Sequence, residues 1–292
     1  MNYLILALSV VIGTLRNIFT NIFTNRFTSK NPMNKAQINL FNALLFLTGT
    51  VVFLLFGNFD VSAYTAKMSV IFAVITLLSQ IFFMKALEYG SMSFTTLFTS
   101  CAMIIPAIFG IIFYNEQFRP MQGIGLLLIL ASIAAISFEK GSKEINKKWI
   151  FYVFFSFLTS GIVGILQKIH QNSPYREEQG GFLLIAFIIM TAASVIMFIS
   201  EKMKTKKPVT FGQSKADVII TAVLSGLMLS LLHKINLYLS GALAGIVFFP
   251  IHNGGVIVFS AISSFLIFHE KLSKPKLFGI LIGLLSIVFL SI

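Results

Sequence analysis

Charge is scarce in this 292-residue chain: only 11% of its residues are charged, against about 25% in an average soluble domain. Hydrophobic residues make up 57% of the chain, and the mean hydropathy is +0.90. So few charged side chains cannot cover the surface of a water-soluble core of this size. The composition therefore excludes an ordinary soluble protein and indicates that the chain is surrounded by lipid.

Cysteine and catalytic motifs are also missing. Cys101 is the single cysteine, which excludes an intrachain disulfide framework and a thiolate metal site. The sequence contains no G-x-S-x-G, H-E-x-x-H or Walker A motif and no paired intramembrane aspartates. The N-terminus lacks the basic region and cleavage site of a signal peptide. We therefore expect neither an enzyme nor an ATP-driven pump, no cofactor and no cleaved leader.

Acidic residues are outnumbered, with 10 Asp and Glu against 22 Lys and Arg and a net charge of +12. Such a balance can indicate nucleic-acid binding, but the basic residues here form short clusters between apolar runs. Clusters of this kind are typical of membrane-protein loops beside anionic lipid. We expect a lipid bilayer and a small-molecule substrate as partners, no nucleic acid, and either a monomer or a homodimer.

Long apolar runs are what the chain does have. A bilayer core about 30 Å thick requires about 20 apolar residues per helix. Trp149 and all seven tyrosines lie between or near the ends of such runs, as expected for aromatic rings at the membrane interface. The sequence predicts an all-α, multi-pass membrane protein with ten spans: 3–24, 37–56, 68–88, 93–114, 121–138, 149–168, 181–200, 216–238, 243–268 and 275–291.

Two halves of the chain resemble each other. Residues 115–137 align without gaps on residues 269–291 with seven identities in 23 positions, where chance would give about two or three. Residues 9–21 align on 160–172 in the same way. Each half therefore holds five spans, and an odd number places the second copy in the opposite orientation. This pattern predicts two inverted repeats, 1–140 and 141–292, as in transporters that work by alternating access.

Several local motifs resemble a known family. They are the run Phe-Phe-Met-Lys-Ala-Leu-Glu-Tyr-Gly at 82–90, Pro106 in the following span, and Asn-Glu-Gln-Phe at 115–118 before a glycine-rich span. Gly241, Pro250, the run 269–272 and the span containing Gly279 and Gly283 repeat the pattern. Together they resemble the EamA-type halves of the drug/metabolite transporter superfamily. The resemblance implies ten helices in two inverted sets of five, carrying small metabolites or drugs across the cytoplasmic membrane.

The first span carries polar residues on one face. Thr14, Asn17, Asn21 and Thr24 are spaced by three, four and three residues, which places them on one side of a helix. This stripe lines either a substrate cavity or a hydrogen-bonded seam between helices. Arg16 lies beside it near mid-span, where an arginine costs at least about 2.5–3.5 kcal/mol to insert. Arg16 therefore needs either a functional position in a cavity or a route for its side chain to reach the membrane surface, and we favour the cavity.

Other spans supply further candidates. Lys85 and Glu88 either pair with each other or line the cavity, and Gln167 and Lys168 are the repeat counterparts of Arg16 and Asn17. Pro250 should loosen the ninth span beside His252 and free carbonyl groups toward a cavity. The complete set of predicted cavity residues is Arg16, Asn17, Asn21, Lys85, Glu88, Gln167, Lys168, His233, Lys234, Asn236, His252 and Asn253.

Two acids outside the spans match across the repeats. Glu116 and Glu270 each come directly before a glycine-rich span. We expect them to cap the fifth and tenth helices rather than to contact the substrate.

Basic residues outnumber acids inside the spans, and such a cavity attracts anions or carboxylates and repels cations. The sequence therefore predicts a secondary transporter for a neutral, zwitterionic or anionic metabolite, with an amino-acid-like exporter as the leading hypothesis. A cationic drug exporter is one alternative. The other is a lipid-modifying membrane enzyme or a flippase-like subunit.

Orientation is predicted differently by charge and by resemblance. Loops that follow odd-numbered spans, together with the adjoining span ends, carry 16 of the 22 Lys and Arg residues, those that follow even-numbered spans carry five, and Arg16 is the remaining one. Because positive loops stay in the cytoplasm, the charge count places both termini outside. The family resemblance implies cytoplasmic termini. We follow the charge count, whose densest cluster lies between the seventh and eighth spans.

Overall fold

Helices form the whole regular structure of the described chain. The computed structural model describes residues 1–27, 35–57, 59–89, 95, 98–137, 147–205, 215–268 and 273–292. A short 3-10 turn, Cys101–Met103, comes before the fourth helix. The ten α-helices of these ranges are α1 (Asn2–Phe27), α2 (Lys35–Phe56), α3 (Ala63–Tyr89), α4 (Ile104–Tyr114), α5 (Pro120–Ser137), α6 (Lys147–Gln171), α7 (Gln179–Thr205), α8 (Lys215–Ala242), α9 (Gly245–Phe268) and α10 (Lys274–Ser291).

Eight helices of the described chain are long and apolar enough to cross a membrane, which confirms a multi-pass, all-helical membrane protein. The remaining two predicted spans correspond to the apolar helices Phe98–Tyr114 and Pro120–Ile136, which are shorter. A helix of about 17 residues rises about 25 Å, at the lower limit for crossing the hydrocarbon core. The sequence count of ten therefore includes two segments of marginal length.

The described helices divide into two compact units. Unit 1 comprises Met1–Thr14, Val74–Ser173 and Asn236–Ile292, and unit 2 comprises Leu15–Ala73 and Pro174–Ile235. Each unit draws residues from both halves of the chain.

In unit 1, α5 and α10 pack closely through glycines. A Cβ added at Gly279 would lie 2.9 Å from the Ser132 carbonyl oxygen, and one at Gly125 would lie 2.9 Å from the Leu290 backbone nitrogen. The Ser132 hydroxyl donates to the Gly279 carbonyl at 2.6 Å. Small residues let helix backbones approach closely, as in membrane helix pairs with a small-xxx-small spacing. Helix α9 also packs against α4, α5 and α10 in this unit.

Unit 2 is built on the contact between α2 and α7. The buried ring of Phe187 on α7 packs edge-on against Phe46 and Phe53 of α2, with ring centroids 6.0 and 5.2 Å apart. A Cβ at Gly49 would lie 2.2 Å from that ring, so the absence of a side chain at Gly49 leaves room for Phe187. The hydroxyls of Thr50 and Thr191 are 3.1 Å apart across the same helix pair.

Trp149, near the start of α6, is buried between helices in the described structure. Its side chain is buried in a cluster with Ala86 and Val153, and its indole N–H donates to the Thr95 hydroxyl at 2.9 Å. A buried indole requires such a partner for its N–H. This tryptophan is therefore part of the packing between helices rather than a ring facing lipid headgroups.

Candidate functional site

A buried ion pair lies in unit 1 near the end of α6. Lys168 is 1% exposed, and its ammonium pairs with the carboxylate of Glu116. The ammonium also donates to the Ser240 carbonyl at 3.2 Å and lies 5.9 Å from the centroid of the Tyr114 ring. A charge removed from water needs partners of this kind. We call Lys168, Glu116 and Ser240 the ion-pair cluster, together with Gly245, whose backbone N–H also donates to Glu116.

The loop between α4 and α5 positions Glu116. Asn115 ends α4 in the left-handed conformation, with φ 50° and ψ 38°. The Glu116 carboxylate also accepts the backbone N–H of Gly245, the first residue of α9, at 2.6 Å. A carboxylate is favourable there because the first N–H groups of a helix lack partners and carry partial positive charge. The expectation that Glu116 caps α5 is therefore wrong: its side chain caps α9.

Open space adjoins this cluster. A cleft of about 430 Å³ is lined by Tyr3, Glu116, Arg119, Gln122 and Val247, among other residues of unit 1. Glu116 is 14% exposed, whereas Lys168 is almost fully buried. Solvent can therefore reach the acidic partner of the ion pair much more readily than the basic one.

A second polar group, again in unit 1, is centred on His252 of α9. His252 is 8% exposed. Its Nδ1 lies 3.0 Å from the hydroxyl of Ser9 on α1, and its Nε2 lies 3.0 Å from the Nδ2 of Asn236 on α8. We call Ser9, Asn236 and His252 the histidine cluster. It connects three helices through neutral side chains.

Proline does not interrupt α9 beside this cluster. The helix is continuous from Gly245 to Phe268 with Pro250 inside it. Asn253 donates to the carbonyl of Phe249 on its own helix at 2.9 Å, and a Cβ at Gly254 would lie 2.1 Å from Ile129. The helix thus continues through Pro250, the freeing of carbonyl groups toward a cavity stays a prediction, and Gly254 provides room for close packing of α5.

The predicted residues of α1 have different surroundings. Arg16 is partly buried, and its Nε is buried without a hydrogen-bond partner in the described structure. Asn17 is exposed, and Thr14 donates to the Val10 carbonyl of its own helix at 2.8 Å. The side chains of Asn21 and Thr24 lie outside the described residues. Arg16 therefore stands out on this helix as an incompletely satisfied buried group.

The other predicted residues are dispersed. The Lys85 ammonium lies 5.4 Å from the centroid of the Tyr152 ring, and the side chain of Glu88 lies outside the described residues. Gln167 is buried, and Lys234 is exposed on α8. The ring of His233 packs edge-on against Phe72 and Phe187 in unit 2. The pairing predicted for Lys85 and Glu88 stays a prediction, as does the capping role of Glu270, which also lies outside the described residues.

Residues 5–138 match the EamA-like transporter family. This segment includes the motifs at 82–90 and 115–118 and the loop that carries Glu116. This match supports an EamA-type transporter of the drug/metabolite transporter superfamily. The comparison with curated proteins gives no match.

A solved crystal structure has the same fold as this transporter. The two chains superpose with a TM-score of 0.70 at 12% sequence identity, covering 97% of this chain and 98% of the other. Its title, "Crystal structure of protein", names no activity. At this identity the similarity concerns the fold alone.

Sequence reasoning missed the partners of two predicted residues in this transporter. It left Lys168 without an acid, because Glu116 lies 52 residues earlier and outside the predicted spans. It also left out Ser9 as a partner of His252. For Lys168, the available signal was that Glu116 matches Glu270 across the two repeats. In the described part of the chain, no three His, Cys, Asp or Glu side chains are grouped to hold a metal ion.

Proposed function

We propose that this transporter moves a small neutral, zwitterionic or anionic metabolite, amino-acid-like in size and charge, across the cytoplasmic membrane as a secondary transporter. The observation that carries the proposal is the buried, unpartnered Nε of Arg16. Because an arginine stays charged at all physiological pH values, its guanidinium requires an anionic or polar partner. A substrate carboxylate can provide that partner through charge-assisted hydrogen bonds.

The other predicted basic residues of the spans have partners or are exposed, which leaves Arg16 to attract an anionic substrate. Glu116 neutralises Lys168, and the Tyr152 ring provides a partner for the Lys85 ammonium. Lys234 is exposed and need not face a cavity. Among the predicted basic residues of the spans, Arg16 thus supplies the main support for an anionic or zwitterionic substrate.

Alternating access between inverted repeats, 1–140 and 141–292, is the mechanism that we propose. Its support is a regular pairing of helices: α2 packs with α7, α4 with α9 and α5 with α10, each with the helix five places later. Such pairs are what two five-helix repeats produce when equivalent helices meet. The sequence identities between residues 115–137 and 269–291 support the same layout.

Transport by the purified protein in proteoliposomes tests this function. We expect uptake of radiolabelled amino acids or small organic anions from a panel of leucine, threonine, glutamate and succinate, and no robust transport of ethidium. Ethidium transport without movement of any of these compounds would contradict the proposal and favour a cationic drug exporter. Altered or translocated lipid without solute movement would favour the lipid-modifying or flippase-like alternative.

Arg16→Gln should weaken transport of the substrate found in that panel. Losing a charge-assisted hydrogen bond costs about 1.5–3 kcal/mol, so we expect the KM to rise about tenfold or more while expression stays nearly unchanged. Arg16→Lys should be intermediate, because lysine retains the charge but not the planar donor pair. The measurement is the concentration dependence of uptake at equal amounts of reconstituted protein.

Arg176→Gln is the matched control for this prediction. Arg176 is 68% exposed outside the helices, so the same substitution should leave the KM unchanged there. An Arg16→Gln protein that transports normally would show that Arg16 does not bind the substrate, and one that fails to fold would assign Arg16 a structural role instead of the cavity role.

Membrane orientation is predicted from the charge count. A cysteine at Thr205, the last residue of α7, in a Cys101→Ser background should resist an impermeant maleimide in intact cells and react after permeabilisation. The physical reason is the cost of translocating the neighbouring basic cluster, which includes Lys202 and Lys204. Rapid labelling in intact cells would support cytoplasmic termini instead.

A further inference from the structure

The hydrogen bonds of Ser9 define the protonation of the histidine cluster. The Ser9 hydroxyl lies 2.8 Å from the carbonyl of Leu6 and donates its one proton to it. The hydroxyl also lies 3.0 Å from the His252 Nδ1, and it accepts from a protonated Nδ1 when its own proton is directed to Leu6. The His252 Nε2 accepts from the Nδ2 of Asn236. This arrangement describes a neutral imidazole whose Nε2 lone pair is available to a proton.

The side chain of Asn236, beside the His252 ring, also contains a hydrogen-bond acceptor that makes no bond in the described structure. Its Oδ1 is buried and has no hydrogen-bond partner in the described structure. A buried carbonyl without a partner is unfavourable, so a feature of this kind requires an explanation. Rotation of the carboxamide by half a turn would exchange Nδ2 and Oδ1 in front of Nε2. The group can thus donate to the neutral imidazole and accept from the imidazolium.

We propose that His252 is a proton-binding site of the transporter and that Asn236 is its reversible partner. A proton from water binds the Nε2 lone pair, and the Asn236 carboxamide turns so that its Oδ1 accepts the new N–H. Ser9 continues to accept from Nδ1 in both states. No other proton moves, and the imidazole gains one positive charge.

Within unit 1, the other charged and titratable groups of the surrounding helices have other positions or partners, while Arg16 of α1 and Lys234 of α8 belong to unit 2. In unit 1, Tyr3 of α1 lines the cleft, Tyr114 of α4 lies beside Lys168, and Tyr238 of α8 donates to Asn2. Lys274 and Lys276 occupy the first turn of α10. Cys101 lies in the 3-10 turn, while α5 contains no titratable residue and α9 contains none besides His252. Ser9 and Asn236, both neutral, thus provide hydrogen bonds to the imidazolium.

Protonation at this position can bias conformation, and this part of the inference rests on the proposed function. The cluster joins α1, α8 and α9, so a changed hydrogen-bond pattern acts on three helices at once. A conformational equilibrium shifts only when its two states bind the proton with different affinity. We infer that the two access states bind the His252 proton differently, which couples the proton to the substrate.

Nitrogen-15 spectra of histidine-labelled protein in micelles test the site without any substrate. The chain contains four histidines, and His252→Gln identifies the signals to be followed. We expect a bare Nε2 and a protonated Nδ1 at high pH, and a change to the doubly protonated ring between about pH 8 and 5. A ring that stays neutral over this range, or one protonated at Nε2 at high pH, would overturn the proposal.

Two substitutions at Asn236 separate proton binding from packing. Asn236→Leu removes the acceptor at nearly constant volume, so His252 should bind its proton about tenfold more weakly. Asn236→Asp supplies a carboxylate, so the proton should bind at least about tenfold more tightly. A purely structural asparagine would not produce opposite shifts. Titrations that are unchanged in both variants would refute the role of Asn236.

Transport measurements then test the coupling. With the substrate found in the proteoliposome panel, wild-type protein should accumulate it when a pH gradient is imposed. His252→Gln should lose this gradient-driven accumulation, whereas the exposed control Arg176→Gln should retain it. Accumulation that survives in His252→Gln would refute the coupling. If no compound moves through the wild-type protein, the proposed function fails, whereas the spectra still decide whether His252 is a proton site.

Discussion

Glu116→Gln is expected to destabilise the protein by about 3–5 kcal/mol, the usual cost of removing one partner of a buried ion pair. The substitution leaves the ammonium of Lys168, 1% exposed, with the Ser240 carbonyl and the Tyr114 ring but no counter-charge. Lys168→Met should cost less. It leaves the Glu116 carboxylate beside a cleft, with the Gly245 N–H still donating to it. SDS-induced unfolding of the purified protein in micelles measures both changes.

The double variant Glu116→Gln with Lys168→Met is the control for this asymmetry. Because it removes both charges, it should be more stable than Glu116→Gln alone. Equal destabilisation by the two single substitutions would show that burial of the ammonium does not dominate the energetics. A double variant less stable than either single variant would contradict the ion-pair explanation itself.

Gly110→Ala should destabilise the protein by about 3 kcal/mol or more, since overpacking alone costs about 1–3 kcal/mol and the ion pair is displaced as well. A Cβ at this position in α4 would lie 2.2 Å from Glu116 Oε2 and 2.8 Å from Lys168 Cε. Neither group can withdraw easily, because the pair is held by further bonds to Ser240 and Gly245. The measurement is again the free energy of unfolding in micelles.

Gly123→Ala in α5 provides the matched control. Its Cβ would meet the tip of the Phe118 ring at 2.9 Å, and this ring is 51% exposed and can move aside. Alanine is otherwise favoured over glycine in a helix by about 1 kcal/mol, so this variant should be neutral or slightly stabilised. Gly110→Ala should also cost less in the Glu116→Gln background, where the ion pair is already lost. Full additivity there would argue against a clash with the ion pair.

The ion-pair cluster also bears on transport. It connects α6, the loop after α4 and the start of α9 at one end of unit 1. In the alternating access that we propose, contacts between such elements form and break as the helices move. Substitutions in the cluster should therefore be assayed for transport as well as for stability.

The sequence by itself determined the class of protein and its family. Few charges and long apolar runs are sufficient to indicate a helical membrane protein, because a segment in lipid must form its backbone hydrogen bonds within its own helix. The motifs at 82–90 and 115–118 indicated the EamA family, which the match over residues 5–138 confirmed. The lengths of the apolar runs also placed eight of the predicted spans on helices long enough to cross a membrane, since the hydrocarbon thickness sets the length of a span.

Side-chain partners were decided by the tertiary structure. Glu116 was expected to cap the next helix, a local interaction, but it bonds to Gly245 and Lys168 instead. His252 was predicted as a cavity residue, and its bonds to Ser9 and Asn236 involve positions 243 and 16 residues away. Helical periodicity defines the face on which a side chain lies, but not which helix packs against that face. The partner of a buried polar group depends on that packing, and therefore only the folded chain specifies it.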